Sequence, residues 1–162
     1  MARVLCFLTV GMISAIGLAD PPPEKTSPNV LEAALAGKHK TFVALCKTAG
    51  LAETIANQEP LTVLVPTDQA FEALPKGTLQ RWLLPENRKQ LVALIKHHIL
   101  TEDLSAKAIA DRPSLTTLQG QSLTIQTRED GWRVSGATPL QTDLRCRNGV
   151  IHSVDTVLLL KK

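Results

Sequence analysis

The chain has 162 residues, a formal net charge of +3 and 3% aromatic residues, a size that buries a core without help from a metal or a disulfide. Along the chain as a whole, lysines and arginines are interspersed with acids, and tyrosine is absent. Neither the basic stripe nor the aromatic platforms of a nucleic-acid binder are present, so no nucleic-acid partner is expected.

The first elements read as an export signal. Arg3 precedes an almost unbroken apolar run, Val4–Leu18, and Gly17 and Ala19 sit at minus three and minus one of a cleavage site before Asp20. Charge, apolar stretch and small-residue exit form the secretory pattern. The run is shorter than the roughly twenty residues of a spanning helix, and Pro21, Pro22 and Pro23 cannot prolong it. We therefore read residues 1–19 as a signal peptide, 20–28 as a disordered proline-rich lead-in and 29–162 as one domain. No stable membrane insertion is expected after cleavage, and the location implied is secreted, or periplasmic in a bacterium.

Helical signals follow. Asn29 with Glu32 three residues on reads as a capping box, and Gly37 closes a short helix. Phe42, Leu45, Cys46 and Ala49 fall on one helical face that ends at Gly50. Leu51–Asn57 reads as another helical turn. LTVLV at 61–65 reads as a short buried strand stopped by Pro66. Thr67 or Asp68 can cap the next turn, which points Phe71 and Leu74 inward. Leu79, Trp82 and Leu83 define a helix face ending before Pro85, a residue suited to the first position of the next helix. In that helix Leu91, Leu94, Ile95 and His98 share a face.

After about Asp111 the period changes. Leu115, Leu123–Ile125 and Trp132–Val134 read as short strands with turns between them. The closing segment GVIHSVDTVLLL reads as an apolar strand pair central to a sheet. Helices first and strands second predict an α+β fold.

Two stretches carry a family resemblance. LTVLVPTDQAFEALPKGTL at 61–79 and NGVIHSVDTVLL at 148–159 stand in the order and spacing of the fasciclin-like domain, with His97–His98 and TLQGQSLTI between them. The resemblance covers about residues 28–160. It implies a helical N-terminal half packed against a strand-rich C-terminal half in a sandwich or wedge. It also implies a non-catalytic, extracellular interaction or adhesion module whose partner is an extracellular or cell-surface protein or a matrix polymer. The signature residues Pro66, Thr67, Asp68, Phe71, Asn148, Gly149, His152 and Asp155 have architectural readings: strand end, cap, core filler and turn. Asn148–Gly149 is read as a pair that tolerates positive φ.

The same resemblance supplies candidate partner contacts. Animal members of the family have proposed integrin-contact pairs, Tyr-His and Asp-Ile. The matching positions here read His97–His98, without the tyrosine, and Asp143–Leu144. Strand alternation places Asp143 outward with Arg145 and Arg147, and Leu144 inward with Cys146. The plainer reading of Asp143 is a solvated strand face, and of His98 a hydrogen-bonded core histidine.

Catalysis finds little support in the motifs. His97, His98, His152 and Asp155 are the tempting metal ligands, but adjacent helical residues diverge by about 100° and no Cys-x-x-Cys or His-Glu-x-x-His spacing occurs. No cofactor, metal or nucleophile elbow is expected. One alternative is a carrier of a small apolar ligand, held in a groove lined by Trp82 or Trp132. Another is a hydrolase using His98 or His152 with Asp155. Cys46 and Cys146, the cysteines left after cleavage, stand on apolar faces as core thiols. Export also permits a disulfide between them, whose loop of about 100 residues would add about 4.7 kcal/mol in the chain-entropy model.

Overall fold

The computed structural model describes residues 27–160, so the segment read as a signal peptide and most of that read as a lead-in lie outside the described residues. The helical part comprises α1 (Val30–Ala36), α2 (Lys40–Ala49), α3 (Ala52–Asn57), α4 (Asp68–Glu72), α5 (Thr78–Leu83), α6 (Arg88–His97) and α7 (Ala106–Ala110). A 3₁₀ turn, Pro85–Asn87, joins α5 to α6. The strands are β1 (Leu61–Pro66), β2 (Ile99–Leu100), β3 (Ser114–Thr116), β4 (Ser122–Arg128), β5 (Gly131–Val134), β6 (Pro139–Cys146) and β7 (Gly149–Val154). They form a four-stranded sheet in the order β2-β1-β7-β6 and a three-stranded sheet in the order β3-β4-β5. The fold is α+β, with its helical half first and its strand-rich half second.

Local chemistry accounts for the helix ends. Asn29 accepts from the amides of Leu31 and Glu32, while the Glu32 carboxylate accepts from the Asn29 amide, closing the capping box. Gly50 stops α2 in the left-handed region at φ 74°. Thr67 Oγ1 accepts from Ala70 N and starts α4. Asp68, beside it, serves a different helix. Its carboxylate accepts from Thr41 N at 2.9 Å, at the first turn of α2. Burial works to raise the Asp68 pKa, but hydrogen bonds from Thr41 and the Lys40 backbone, with the charge of His39, outweigh it and hold the carboxyl below its usual value.

One core lies among α1, α2, α6 and the sheet, around Phe42, Leu45, Cys46, Phe71, Leu91, Ile95 and Ile151. The other lies between the sheets, around Leu64, Leu104, Ile109, Leu123, Trp132 and Val154. Every residue of β1 is buried, because alternate side chains feed the two cores. The same strand pairs in parallel with β7, from Leu61 opposite Gly149 to Pro66 opposite Val154.

Four sequence expectations change. The closing apolar segment is one strand, not a pair. β7 ends at Val154, while Val157 and Leu158 beyond it are buried, one in each core. Asn148–Gly149 is no positive-φ turn. Asn148 is buried, accepts from Val30 N through Oδ1 at 3.0 Å, and donates through Nδ2 to the carbonyls of Ile55, Ala56 and Gln58. It thereby ties the start of α1 and the end of α3 to the sheet. A Cβ on Gly149 would overlap the Leu61 carbonyl, so glycine is required by a close backbone approach. Pro28, assigned to the lead-in, is docked, since its carbonyl accepts from Arg147 N at 3.0 Å. Finally, Cys46 and Cys146 are free, buried thiols. Burial pushes their pKa values up to about 12 and about 11, which makes them unreactive members of the helical core.

Candidate functional site

The candidate contacts fall at two corners of the four-stranded sheet. His97 ends α6 and His98 follows it, directly before β2 at one edge. Asp143 and Leu144 lie on β6 at the other edge, with β1 and β7 between. At about 4.8 Å per strand the two edges stand roughly 14 Å apart, so the two pairs do not form one site.

The histidine corner is interior. His98 is 1% exposed and His97 4%. His98 Nδ1 lies 2.8 Å from Leu94 O, and Leu158 N donates to Nε2 at 3.0 Å. A carbonyl on one side and an amide on the other fix the neutral tautomer that carries its proton on Nδ1. Burial lowers the His98 pKa to about 4. The Leu94 carbonyl opposes that shift, while neighbouring His97 adds to it. The Phe42 ring packs against the imidazole at 5.9 Å between centroids. His97 is also shifted down by burial, with the Gln119 side chain opposing. No hydrogen bond joins those two residues, and both His97 Nδ1 and Gln119 Oε1 lack a partner among the described residues.

The Asp143 corner faces solvent. Strand alternation fails here, because β6 slips register against β7 between Gln141 and Leu144. Asp143 takes φ 58°, a left-handed conformation that aspartate tolerates better than most residues. Gln141, Thr142 and Asp143 are consequently all exposed, and Leu144 is half-buried against the helical core. The bulge is held from behind. Asp143 N donates to His152 Nδ1 at 3.2 Å, and His152 Nε2 lies 2.8 Å from Leu104 O. His152 is therefore neutral with its proton on Nε2. Trp132 meets its ring edge-on at 5.9 Å. Burial lowers the His152 pKa, opposed by the Leu104 carbonyl and the charges of Asp143 and Asp103. The Asp143 carboxylate accepts from Ala106 N at 2.8 Å, at the first residue of α7. That contact orients the carboxylate and leaves the side chain exposed.

Sequence reasoning missed a third histidine contact. His39, immediately before α2, is buried, and its Nε2 lies 2.8 Å from Ser153 Oγ on β7. Its pKa is lowered by burial, with the Pro66 carbonyl and the Asp68 carboxylate opposing. The available signal was a histidine directly ahead of an amphipathic helix, a position that faces whatever the helix packs on.

The catalytic arrangements considered from sequence do not assemble. Asp155 Oδ1 accepts from Thr138 N at 2.8 Å and Thr156 Oγ1 at 2.9 Å. It orients neither His98 nor His152, whose ring nitrogens face backbone groups instead. Among the described residues no three His, Cys, Asp or Glu side chains converge as metal ligands. Trp132 is packed in the second core. Trp82 borders a cleft of about 150 Å³ among α2, α5 and α6, with Leu83, Leu84, Pro85 and Arg88. That volume falls below the ~300 Å³ of ordinary ligand pockets. An adjoining and more open cleft of about 630 Å³ is lined by Pro85, Glu86, Arg88, Lys89 and Val92, and neither lies between the helices and the sheet. No helix among the described residues is long and apolar enough to cross a membrane.

Comparison with known proteins agrees with this fold. The Fasciclin domain family profile matches residues 37–160. The chain is 37% identical over 119 residues to Protein sll1483 of Synechocystis sp., covering 74% of this chain and 66% of that protein. It is 34% identical over 137 residues to the transforming growth factor-beta-induced protein ig-h3 of Sus scrofa, covering 85% of this chain but 20% of that protein. The chain thus spans about two thirds or less of these two relatives. Among solved structures, the domain pair of the insect cell adhesion molecule Fasciclin I superposes with a TM-score of 0.60 at 18% identity, over 77% of this chain and 46% of that one. Because the family profile matches residues 37–160, well over half of its length, the chain belongs to the fasciclin domain family.

Proposed function

We propose that this protein is an exported, non-catalytic interaction module of the cell-adhesion type, and that it meets its partner through the bulged edge strand around Asp143. The observation that carries this reading is the Asp143 corner itself. A carboxylate is exposed on an edge strand, fixed by Ala106 N, and backed by a buried histidine that accepts its backbone amide. An aspartate in the left-handed region at an exposed position, with a built support behind it, holds its carboxylate in one place, as a binding contact requires. The relatives support the same class. One is by name a cell surface glycolipoprotein, MPB83 of Mycobacterium bovis, and the structural neighbour is a cell adhesion molecule.

The partner in this reading is an extracellular or cell-surface protein, or a matrix polymer, that presents a cation or hydrogen-bond donors to Asp143. His97 and His98 are supports of the fold here and Leu144 an anchor of β6. The test is binding of the immobilised protein to cell surfaces and matrix polymers, with Asp143→Ala beside it. Binding that falls at least tenfold in the variant, with the melting temperature lowered by no more than a few degrees, is the expected result. Binding that Asp143→Ala leaves intact removes this corner from the site, and no binding by the parent protein removes the adhesion reading.

A further inference from the structure

The charges that are interspersed along the sequence as a whole are out of balance at one place. Between Pro75 and His97, Lys76, Arg81, Arg88, Lys89 and Lys96 face a single acid, Glu86. None of these cations belongs to an ion pair among the described residues, where the pairs are Arg112–Glu102, Arg133–Asp130 and Arg145–Asp103. Apolar groups stand in the midst of them. Leu83 is 43% exposed and Leu84 50%. α5 contains no fully buried residue, and its Trp82 is half-buried. Arg88 lines one cleft with Trp82, Leu83, Leu84 and Pro85, and an adjoining one with Pro85, Glu86, Lys89 and Val92. Lys89, Val92 and Lys96 share the face of α6 opposite Leu91, Leu94 and Ile95, which are buried.

The shape distinguishes the occupant. A partner helix or strand would read a stripe of apolar residues at helical or alternating spacing. The exposed groups here are consecutive, Leu83-Leu84-Pro85, at the point where α5 ends and the chain turns extended at Leu84, φ −68° and ψ 138°. A short apolar tip with an amphipathic aromatic behind it and cations around it matches a bilayer interface. Leucines enter the acyl boundary, Trp82 sits at headgroup depth and the cations meet anionic headgroups. We propose that the α5–α6 corner adsorbs to an anionic lipid surface, with Leu83 and Leu84 as the inserting residues and Arg81, Arg88 and Lys89 as the headgroup contacts. This is peripheral adsorption, distinct from insertion of a spanning helix, and it uses a surface separate from the Asp143 corner.

The test is sedimentation with vesicles of phosphatidylglycerol in phosphatidylcholine, against pure phosphatidylcholine. It uses the chain from Asp20 onward, so that the apolar N-terminal run contributes nothing. Both cores are built from residues 30–158, so that chain keeps every core contact. Each cation near an anionic surface contributes about fivefold in partitioning, so Arg88→Gln with Lys89→Gln should weaken binding by roughly 25-fold. Leu83→Ser with Leu84→Ser should weaken it by at least ~10-fold. Added salt should weaken the parent. Leu83, Leu84 and Lys89 are exposed, so melting should not change in the leucine variant or in Lys89→Gln, whereas Arg88→Gln also gives up a 3.5 Å contact with Ala49 O. Should a double variant unfold, Lys89→Gln alone should still give about a fivefold loss. Equal partitioning onto neutral and anionic vesicles, no partitioning onto either, or leucine variants that bind like the parent would each overturn the proposal. Binding to soluble heparin that depends on the cations but not on the leucines, with no vesicle binding, would also overturn it and reassign the surface to a polyanion.

Discussion

The two corners of the sheet use the same device to different ends. At each, a buried neutral histidine receives a backbone amide on one ring nitrogen and faces a carbonyl with the other. His98 spans Leu94 O and Leu158 N, and so joins the end of α6 to the C-terminal segment. His152 spans Leu104 O and Asp143 N, and so joins the segment before α7 to the bulge of β6. What differs is the group held. His98 holds two interior segments together, whereas His152 holds an exposed carboxylate in place. On the proposed function, a histidine in a family motif would govern binding without touching a partner. Its imidazole satisfies backbone groups where no regular ladder reaches, and the surface residue is positioned as a consequence.

The contrast can be broken by substitution. His98→Ala should cost about 4 kcal/mol, combining a cavity with two stranded backbone groups, and should leave partner binding per folded molecule unchanged. Denaturant unfolding beside a binding assay checks both halves. A loss of binding with unaltered stability would reverse the assignment of His98 to the fold.

Acid tests both corners together. The folded pKa of His98 is about 4 against 6.5 for the free side chain. Between those values the unfolded chain binds more protons, so stability is full above pH 6.5 and falls as the pH drops towards 4. His98 alone accounts for about 3 kcal/mol of that loss. His39, His97 and His152 shift in the same direction and steepen the fall. Urea midpoints measured from pH 7 to pH 4 should decrease throughout, and His98→Ala should show a shallower slope. A flat profile would mean that these imidazoles are not held neutral.

His152→Ala should cost about 2 kcal/mol, since one of its partners, Asp143 N, stands close to solvent. Unlike His98→Ala, it should also weaken partner binding, because the bulge loses its backing. Asp143→Ala should cost less than about 1 kcal/mol, as an exposed cap on Ala106 N, while reducing binding at least ~10-fold. If His152→Ala and His98→Ala affect binding alike, the distinction between the corners falls.

Much of the fold is legible residue by residue. Asn29 and Glu32, Gly50, Thr67 and Pro85 mark element ends through interactions within four residues, so their meaning is complete in the local sequence. The apolar spacing of Leu91, Leu94 and Ile95 likewise fixes which side of α6 is buried. The candidate site was less legible. Asp143 is exposed as alternation expects, but for another reason, since the register slip exposes Thr142 as well. The cationic corner was invisible because lysines and arginines were weighed along the whole chain. A window from Pro75 to His97 shows five cations against one acid, and what folding adds is the cleft that Arg88 shares with Trp82 and Leu83.

The sequence by itself determined that helices come first and strands second, much of the membership of the apolar cores and, through the motifs at 61–79 and 148–159, the family. Only the tertiary structure decided that β1 lies parallel to β7, that Asn148 ties α1 and α3 to the sheet, that Gly149 answers a close approach, and that His152 supports Asp143. The physical reason is range. Caps and periodicity act between near neighbours, whereas each of these contacts joins groups far apart in the chain, whose pairing exists only once both cores have closed around them.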